Sequence, residues 1–321
     1  MKRMIAWGFA LLVVGATLFF GIWGSQGFGA VELSTVEYEK RSRDIDRPFH
    51  SVEIIELADD VHIEPSPDGA CRVEYTDSSR SYHKISVENG RLSISLETKG
   101  RGKWYENVGI HTDLEEHLLI LYLPEGEYRE LQVNTASADV YAGADFGFEK
   151  AEIRSASGDI DLGPVASGSL SVNTASGDVH VGGLDIGRLE LGTDSGTLEL
   201  GKSKVRRELS VGTASGDIEL SDISCGELEA ATASGQIEMR NVIASGEMDI
   251  ESTSGDIRLD DCDAASLELE STSGFISGRL LSGKDFYADT SSGNIRLPYG
   301  SRGGRCSIET TSGDIDFDIA S

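Results

Sequence analysis

The sequence predicts an all-β chain: a right-stacked β-solenoid of the single-stranded β-helix type, with about ten coils of 19–20 residues, an irregular N-terminal β cap and one N-terminal transmembrane helix. Three observations carry that prediction. A short phrase recurs ten times at steps of 19 or 20 residues. The residues around each copy alternate apolar and polar with period two. The first charged residues after Lys2 and Arg3 do not appear until Glu32.

The repeat comes first. Aligned on a central serine, the copies are NTASADV at Ser137, RSASGDI at Ser157, NTASGDV at Ser176, GTDSGTL at Ser195, GTASGDI at Ser215, ATASGQI at Ser234, ESTSGDI at Ser254, ESTSGFI at Ser273, DTSSGNI at Ser292 and ETTSGDI at Ser312. Counting from that serine, position −2 is always Thr or Ser, +3 is always Val, Ile or Leu, and +1 is Gly in every copy except Ala138. Position −6 runs from Leu131 to Cys306 and position −4 from Val133 to Ile308, both mostly aliphatic. A shorter apolar column near +8 holds Val165, Leu184, Ile223, Val242, Cys262 and Leu281. Each coil thus offers inward side chains on about three short strands, and only stacking on its neighbours buries them. A propeller is the rival repeat fold, but its blades need ~40–45 residues each.

The phrase itself reads as a corner. Gly at +1 suits a positive φ or a bend too tight for a Cβ. Ser and the following Asp can bond local backbone, and stacked Thr at −2 would form a hydroxyl ladder.

The remaining segments divide by pattern. Residues 4–24 read as a signal anchor: the apolar run from Met4 to Trp23 would span about 30 Å as a helix, with Trp7 and Trp23 near its ends. A cleaved signal peptide is the alternative, although its apolar region is usually shorter, and the small-residue sites after Trp23 are weak. Lys2 and Arg3 place everything beyond on the extracytoplasmic side of the cell membrane, giving a single-pass protein. Residues 25–48 read as a linker. Residues 49–130 read as an irregular β cap or first coils, with Ala58 to Ile63 echoing the corner phrase and Lys99 to Glu116 forming a loop around Trp104. Residues 131–321 are the repeat domain. Because the chain stops just after its last strand, the final edge is expected to be blunted by charge or paired with another molecule.

This layout resembles the putative-adhesin family of bacterial envelope proteins, a domain of unknown function that includes accessory proteins of Lia-type cell-envelope-stress operons. The likeness rests on the TASGDI-like corners, on Leu123-Pro124-Glu125-Gly126 leading into the first repeat, and on Asn89-Gly90-Arg91-Leu92 upstream. It implies one membrane segment and a repetitive β ectodomain in envelope stress or adhesion, and it brings no catalytic residues and no cofactor.

With 28 Lys and Arg against 55 Asp and Glu, the net charge is −27, which repels nucleic acid and attracts cations and basic polypeptides. Six corners carry Asp at +2 (Asp139, Asp159, Asp178, Asp217, Asp256, Asp314). Calcium would accept such oxygens, yet Thr197, Gln236, Phe275 and Asn294 interrupt the row, so turn stabilisation is the preferred reading. The better candidate is the outward strip Asp249, Glu251, Glu268, Glu270, Asp289 and Glu309, which could collect divalent cations or basic peptides; a simply solvated acidic face is the competing explanation. Cys262 and Cys306 fall in inward columns, Cys225 in a turn and Cys71 upstream; Cys225 and Cys262 lie about 10 Å apart, too far for an undistorted bridge. The six histidines show no metal-ligand spacing, and the repeated serines are structural. These features point to a non-catalytic interaction module whose partners are cationic peptides, envelope proteins or divalent cations. A glycan-acting solenoid enzyme and a structural surface spacer are the alternatives.

Overall fold

The computed structural model describes residues 37–98, 117–143 and 147–320. The anchor expected over 4–24 and the loop around Trp104 lie outside them. No helix among the described residues is long and apolar enough to cross a membrane. The described chain is all β, a β-solenoid of about nine turns.

Parallel, in-register stacking builds the body. Glu127–Asn134 (β8) pairs with Gly147–Ser155 (β10), so that Leu131 lies against Ala151 and Val133 against Ile153. The same columns continue through Ala166–Thr174 (β12), Asp185–Thr193 (β14) and the long strands Leu198–Thr213 (β15), Ile218–Ser234 (β16), Ile237–Ser254 (β17) and Ile257–Ser273 (β18). The −6, −4, +3 and +8 columns point into one continuous core. Each fully buried aliphatic side chain contributes about 1.5–3 kcal/mol. A second apolar column on the third face (Val205, Cys225, Ala244, Ala264) completes it. Cys225 is therefore a buried core residue, not a turn residue. All four cysteines are free and buried, and burial pushes each thiol up to about 12. One member of the +8 column departs from expectation: a register shift after Asp260 puts Leu280 beside Cys262 in the core and leaves Leu281 exposed.

The corner works between coils rather than within one. At each +1 glycine from Gly158 to Gly313, an added Cβ would collide with the carbonyl oxygen of the +1 residue in an adjacent coil. None of these glycines has a positive φ; close approach alone excludes a side chain there. The −2 hydroxyls do not form a ladder with one another. Thr174 donates to the Gly158 carbonyl at 3.3 Å, and Thr193 to that of Gly177 at 3.1 Å. Asp139 accepts the Asp159 N–H at 2.8 Å, Asp159 accepts that of Asp178 at 2.8 Å, and Asp178 accepts that of Thr197 at 2.7 Å. A second corner, at +7, holds Lys202, Asp222, Asn241 and Asp261 in the left-handed region, φ 46 to 56°.

Both ends of the stack depart from chain order. At the start, Ser51–Ile55 (β2) and Asp60–Pro65 (β3) form a true coil directly beneath the first phrase, with Val61 against Val140. Its other side is covered by Arg91–Thr98 (β6) and Leu118–Leu123 (β7), which come later in the chain. Arg72–Ser78 (β4) and Ser81–Glu88 (β5) then run antiparallel to β7 and β6 and close that end. Tyr38–Asp44 (β1) pairs antiparallel with β4, so this part of the expected linker is a strand. At the other end, Gly304–Ser312 (β22) and Ile315–Ile319 (β23) pair with β18 and with Ile276–Leu280 (β19). Lys284–Ser292 (β20) and Ile295–Arg296 (β21) lie outside them. The last coil is thus tucked in, and the penultimate coil forms the edge.

Candidate functional site

The stacking order decides what becomes of the acidic strip. Register puts Glu251 beside Glu270, Glu270 beside Glu309 and Glu309 beside Asp289, which places four carboxylates in one column on four successive strands. Neighbours in such a column stand about 4.8 Å apart. Asp249 and Glu268 pair in the adjacent column, which Glu229 extends on one side and Ser307 and Tyr287 continue on the other. All six strip residues are brought together, with Asp289 and Glu309 exchanged relative to their order in the chain.

A second charged constellation lies in the cap. In β2 the inward positions are Val52 and Ile54, and the next is Glu56; in β3 they are Val61 and Ile63, and the preceding one is Asp59. In β4 the same alternation runs Val73, Tyr75, Asp77, and in β5 it runs His83, Ile85, Val87. Four charged residues therefore occupy apolar-parity positions at the ends of four strands.

They converge. His83 Nε2 lies 2.9 Å from Glu56 Oε2, with both side chains wholly buried. Its Nδ1 lies 3.2 Å from Asp77 Oδ1, which also accepts the His83 backbone N–H at 2.7 Å. Glu56 Oε1 accepts the Leu57 N–H at 2.8 Å, and Arg41 approaches Asp77 Oδ2 at 3.4 Å. Burial alone would lower the His83 pKa, but its bonds to Glu56 and Asp77 outweigh this and hold it above the ordinary value. Burial, reinforced by the Glu56 carboxylate, pushes Asp59 up to about 7.

The linear spacing of the histidines does not reveal this site, because its members come together only through the tucked first coil. The available signal is parity: Glu56, Asp59, Asp77 and His83 each fall where the alternation calls for an apolar residue.

The model of the Toastrack DUF4097 family matches residues 50–207 and 197–321. The chain belongs to that family. Among solved structures, this Toastrack chain is similar to a putative adhesin from Parabacteroides distasonis, at 15% identity and TM-score 0.53, covering 87% of this chain and 97% of that one. A putative adhesin from Parabacteroides merdae is similar at 14% identity and TM-score 0.54, over 75% and 96%. A putative lipid binding protein from Parabacteroides distasonis is similar at 22% identity and TM-score 0.50, over 74% and 94%. At these identities the likeness is one of fold. No curated protein matches the chain.

Proposed function

We propose that this chain is a non-catalytic, membrane-anchored extracytoplasmic module of the bacterial envelope that works by interaction, in adhesion or the response to envelope stress, and that its acidic face captures cationic peptides. The observation that carries the reading is the column Glu251, Glu270, Glu309, Asp289, fixed on four adjacent strands by the backbone register. A rigid row of four carboxylates about 4.8 Å apart spans about 14 Å, the reach of three successive same-side side chains of an extended basic peptide, which recur every ~6.6–6.8 Å. The adhesin descriptions of the similar structures support the same class of role. A glycan-acting enzyme is less well supported: among the described residues, the exposed aromatics Tyr141, Phe275, Tyr287 and Tyr299 are scattered singly.

The test is binding of a labelled basic peptide to the full-length chain at low and high salt. Micromolar binding that high salt abolishes is expected, weakened at least tenfold in the combined variant Glu251→Gln, Glu270→Gln, Asp289→Asn, Glu309→Gln. Absence of binding at low salt would sink the proposal, as would binding indifferent to that variant.

A further inference from the structure

We infer that the cap binds a divalent transition-metal ion of the zinc type through His83 Nε2 and the carboxylates of Glu56 and Asp59, with Asp77 as the positioning residue behind the histidine. One ligand atom from each of the three lies within 4.8 Å of the other two. The shift to zinc bonding distances, about 2.0–2.2 Å for nitrogen and oxygen ligands, is small for side chains already this close.

Three features of the site favour this over a self-contained ion pair. The donors are mixed, one imidazole nitrogen with two carboxylates; calcium and magnesium prefer oxygen alone, whereas zinc accepts both. Asp77 holds Nδ1 of His83 and also its backbone N–H, so Nε2 is the nitrogen aimed at Glu56. A carboxylate on the far nitrogen is the usual outer partner of a metal-bound histidine. The charges do not balance: Glu56 and Asp77 hold one imidazole between them with Asp59 beside it, and Arg41, half exposed and paired more closely with Glu39, reaches only Asp77 of the three. The buried lysine at the other end of the molecule shows what a completed pairing looks like, since Lys284 Nζ donates to Asp263, Ala264 and Ser282.

The position also has a purpose in the fold. Glu56 and Asp59 flank the corner of the tucked first coil, and His83 belongs to β5, the antiparallel strand that closes the stack. An ion bridging them would clamp the cap onto the coil, and binding to the folded state alone would raise its stability.

The experiment is calorimetric titration of the EDTA-stripped full-length chain with zinc chloride, together with thermal unfolding in zinc and in chelator. One site per chain is expected, with a melting temperature several degrees higher in zinc, and calcium at the same concentration should not reproduce the shift. Asp59→Asn should weaken zinc binding at least tenfold while leaving the melting temperature in chelator unchanged or higher. His83→Gln should abolish the site; should that variant fail to fold, Asp59→Asn decides. Absence of saturable zinc binding, or binding unaffected by Asp59→Asn, would overturn the inference and leave the cluster a buried salt bridge.

Discussion

The two ends of this solenoid solve the same problem differently. Each tucks its terminal coil one layer inward: β2 and β3 lie beneath β6 and β7, and β22 and β23 lie beneath β20 and β21. The N-terminal end then adds antiparallel strands that turn the edge away from further parallel pairing. At the C-terminal end no described residue pairs beyond β20 and β21. There the inward residues Phe286, Ala288 and Leu297 are only partly buried, and Ile295, buried at its equivalents in every other coil, is 45% exposed. Tucking thus buries the last coil while leaving the penultimate coil partly exposed. Tucking buries a coil; a change of strand direction closes the stack.

Truncation separates these two devices, and it has the largest expected effect. Removing residues 303–321 takes out the coil holding Cys306, Ile308, Ile315 and Phe317, all at most 1% exposed, and leaves a gap one strand wide between β18 and β20. Lost burial of about 6–12 kcal/mol, an upper bound from area, should unfold that end as a unit. Removing residues 37–44 deletes β1, whose side chains are almost all exposed, and should cost less than about 2 kcal/mol. Urea denaturation of both truncations measures the difference; similar losses would show that the tuck is not what holds the C-terminal end.

A single pair of aromatic rings sharpens the point. Phe317 is fully buried in the tucked coil, while Phe286 is partly buried in the edge coil, their ring centroids 6.1 Å apart. Phe317→Ala should destabilise by about 3–5 kcal/mol, and Phe286→Ala by less than half of that. Equal costs would mean that the edge coil is covered in solution.

Much of this fold is legible in the chain. The inward columns, the Gly corners and the echo at Ala58 to Ile63 all follow from period-two alternation and from spacing. The order of the last coils does not, because NIRL after Ser292 and DIDF after Ser312 present the same apolar pattern, and either could lie against β18 and β19. The visible hint is the connection Pro298 to Gly304, which carries three glycines and a proline. In it Gly303 and Gly304 press against the carbonyls of Gly283 and Ala265, where no side chain would fit. The strip was assembled by the register the pattern predicts. The cap cluster was missed because spacing along the chain says little about residues joined across a tucked coil.

The buried charges at the two ends should respond to pH in opposite senses. At the C-terminal end burial works to raise Asp263, but hydrogen bonds from Lys284 and Ser282 outweigh it and hold its pKa low. That stabilisation is present above the unfolded carboxylate value near 4 and fades as pH falls through the lower folded value. At the N-terminal end both displaced groups are raised. His83 stabilises below its unfolded value of about 6.5 and loses this as pH rises through its higher folded value; Asp59 adds a cost that builds from its unfolded value near 4 and is complete once pH passes its folded value of about 7. In chelator, hydrogen-exchange protection of β4 and β5 should therefore fall about tenfold from about pH 5 to about pH 8.5, while that of β20 and β22 stays level. Parallel behaviour of the two ends would break the contrast.

The smallest expected effect lies on the exposed edge itself. Tyr287 projects outward from β20, 61% exposed, with the Arg305 guanidinium 5.5 Å from its ring centre. A cation–π contact at such a site is worth about 0.5–1 kcal/mol, and little apolar area is buried with it. Tyr287→Ser should thus shift the unfolding midpoint barely, by less than about 1 kcal/mol, in a chain where Phe317→Ala costs several times more. The informative comparison is concentration dependence. If Tyr287 is simply a solvated edge residue, the small loss will be the same in dilute and concentrated protein. A loss that grows with concentration would mean that the open edge is occupied by a second copy, and the difference between the two ends would then be one of partner rather than of closure.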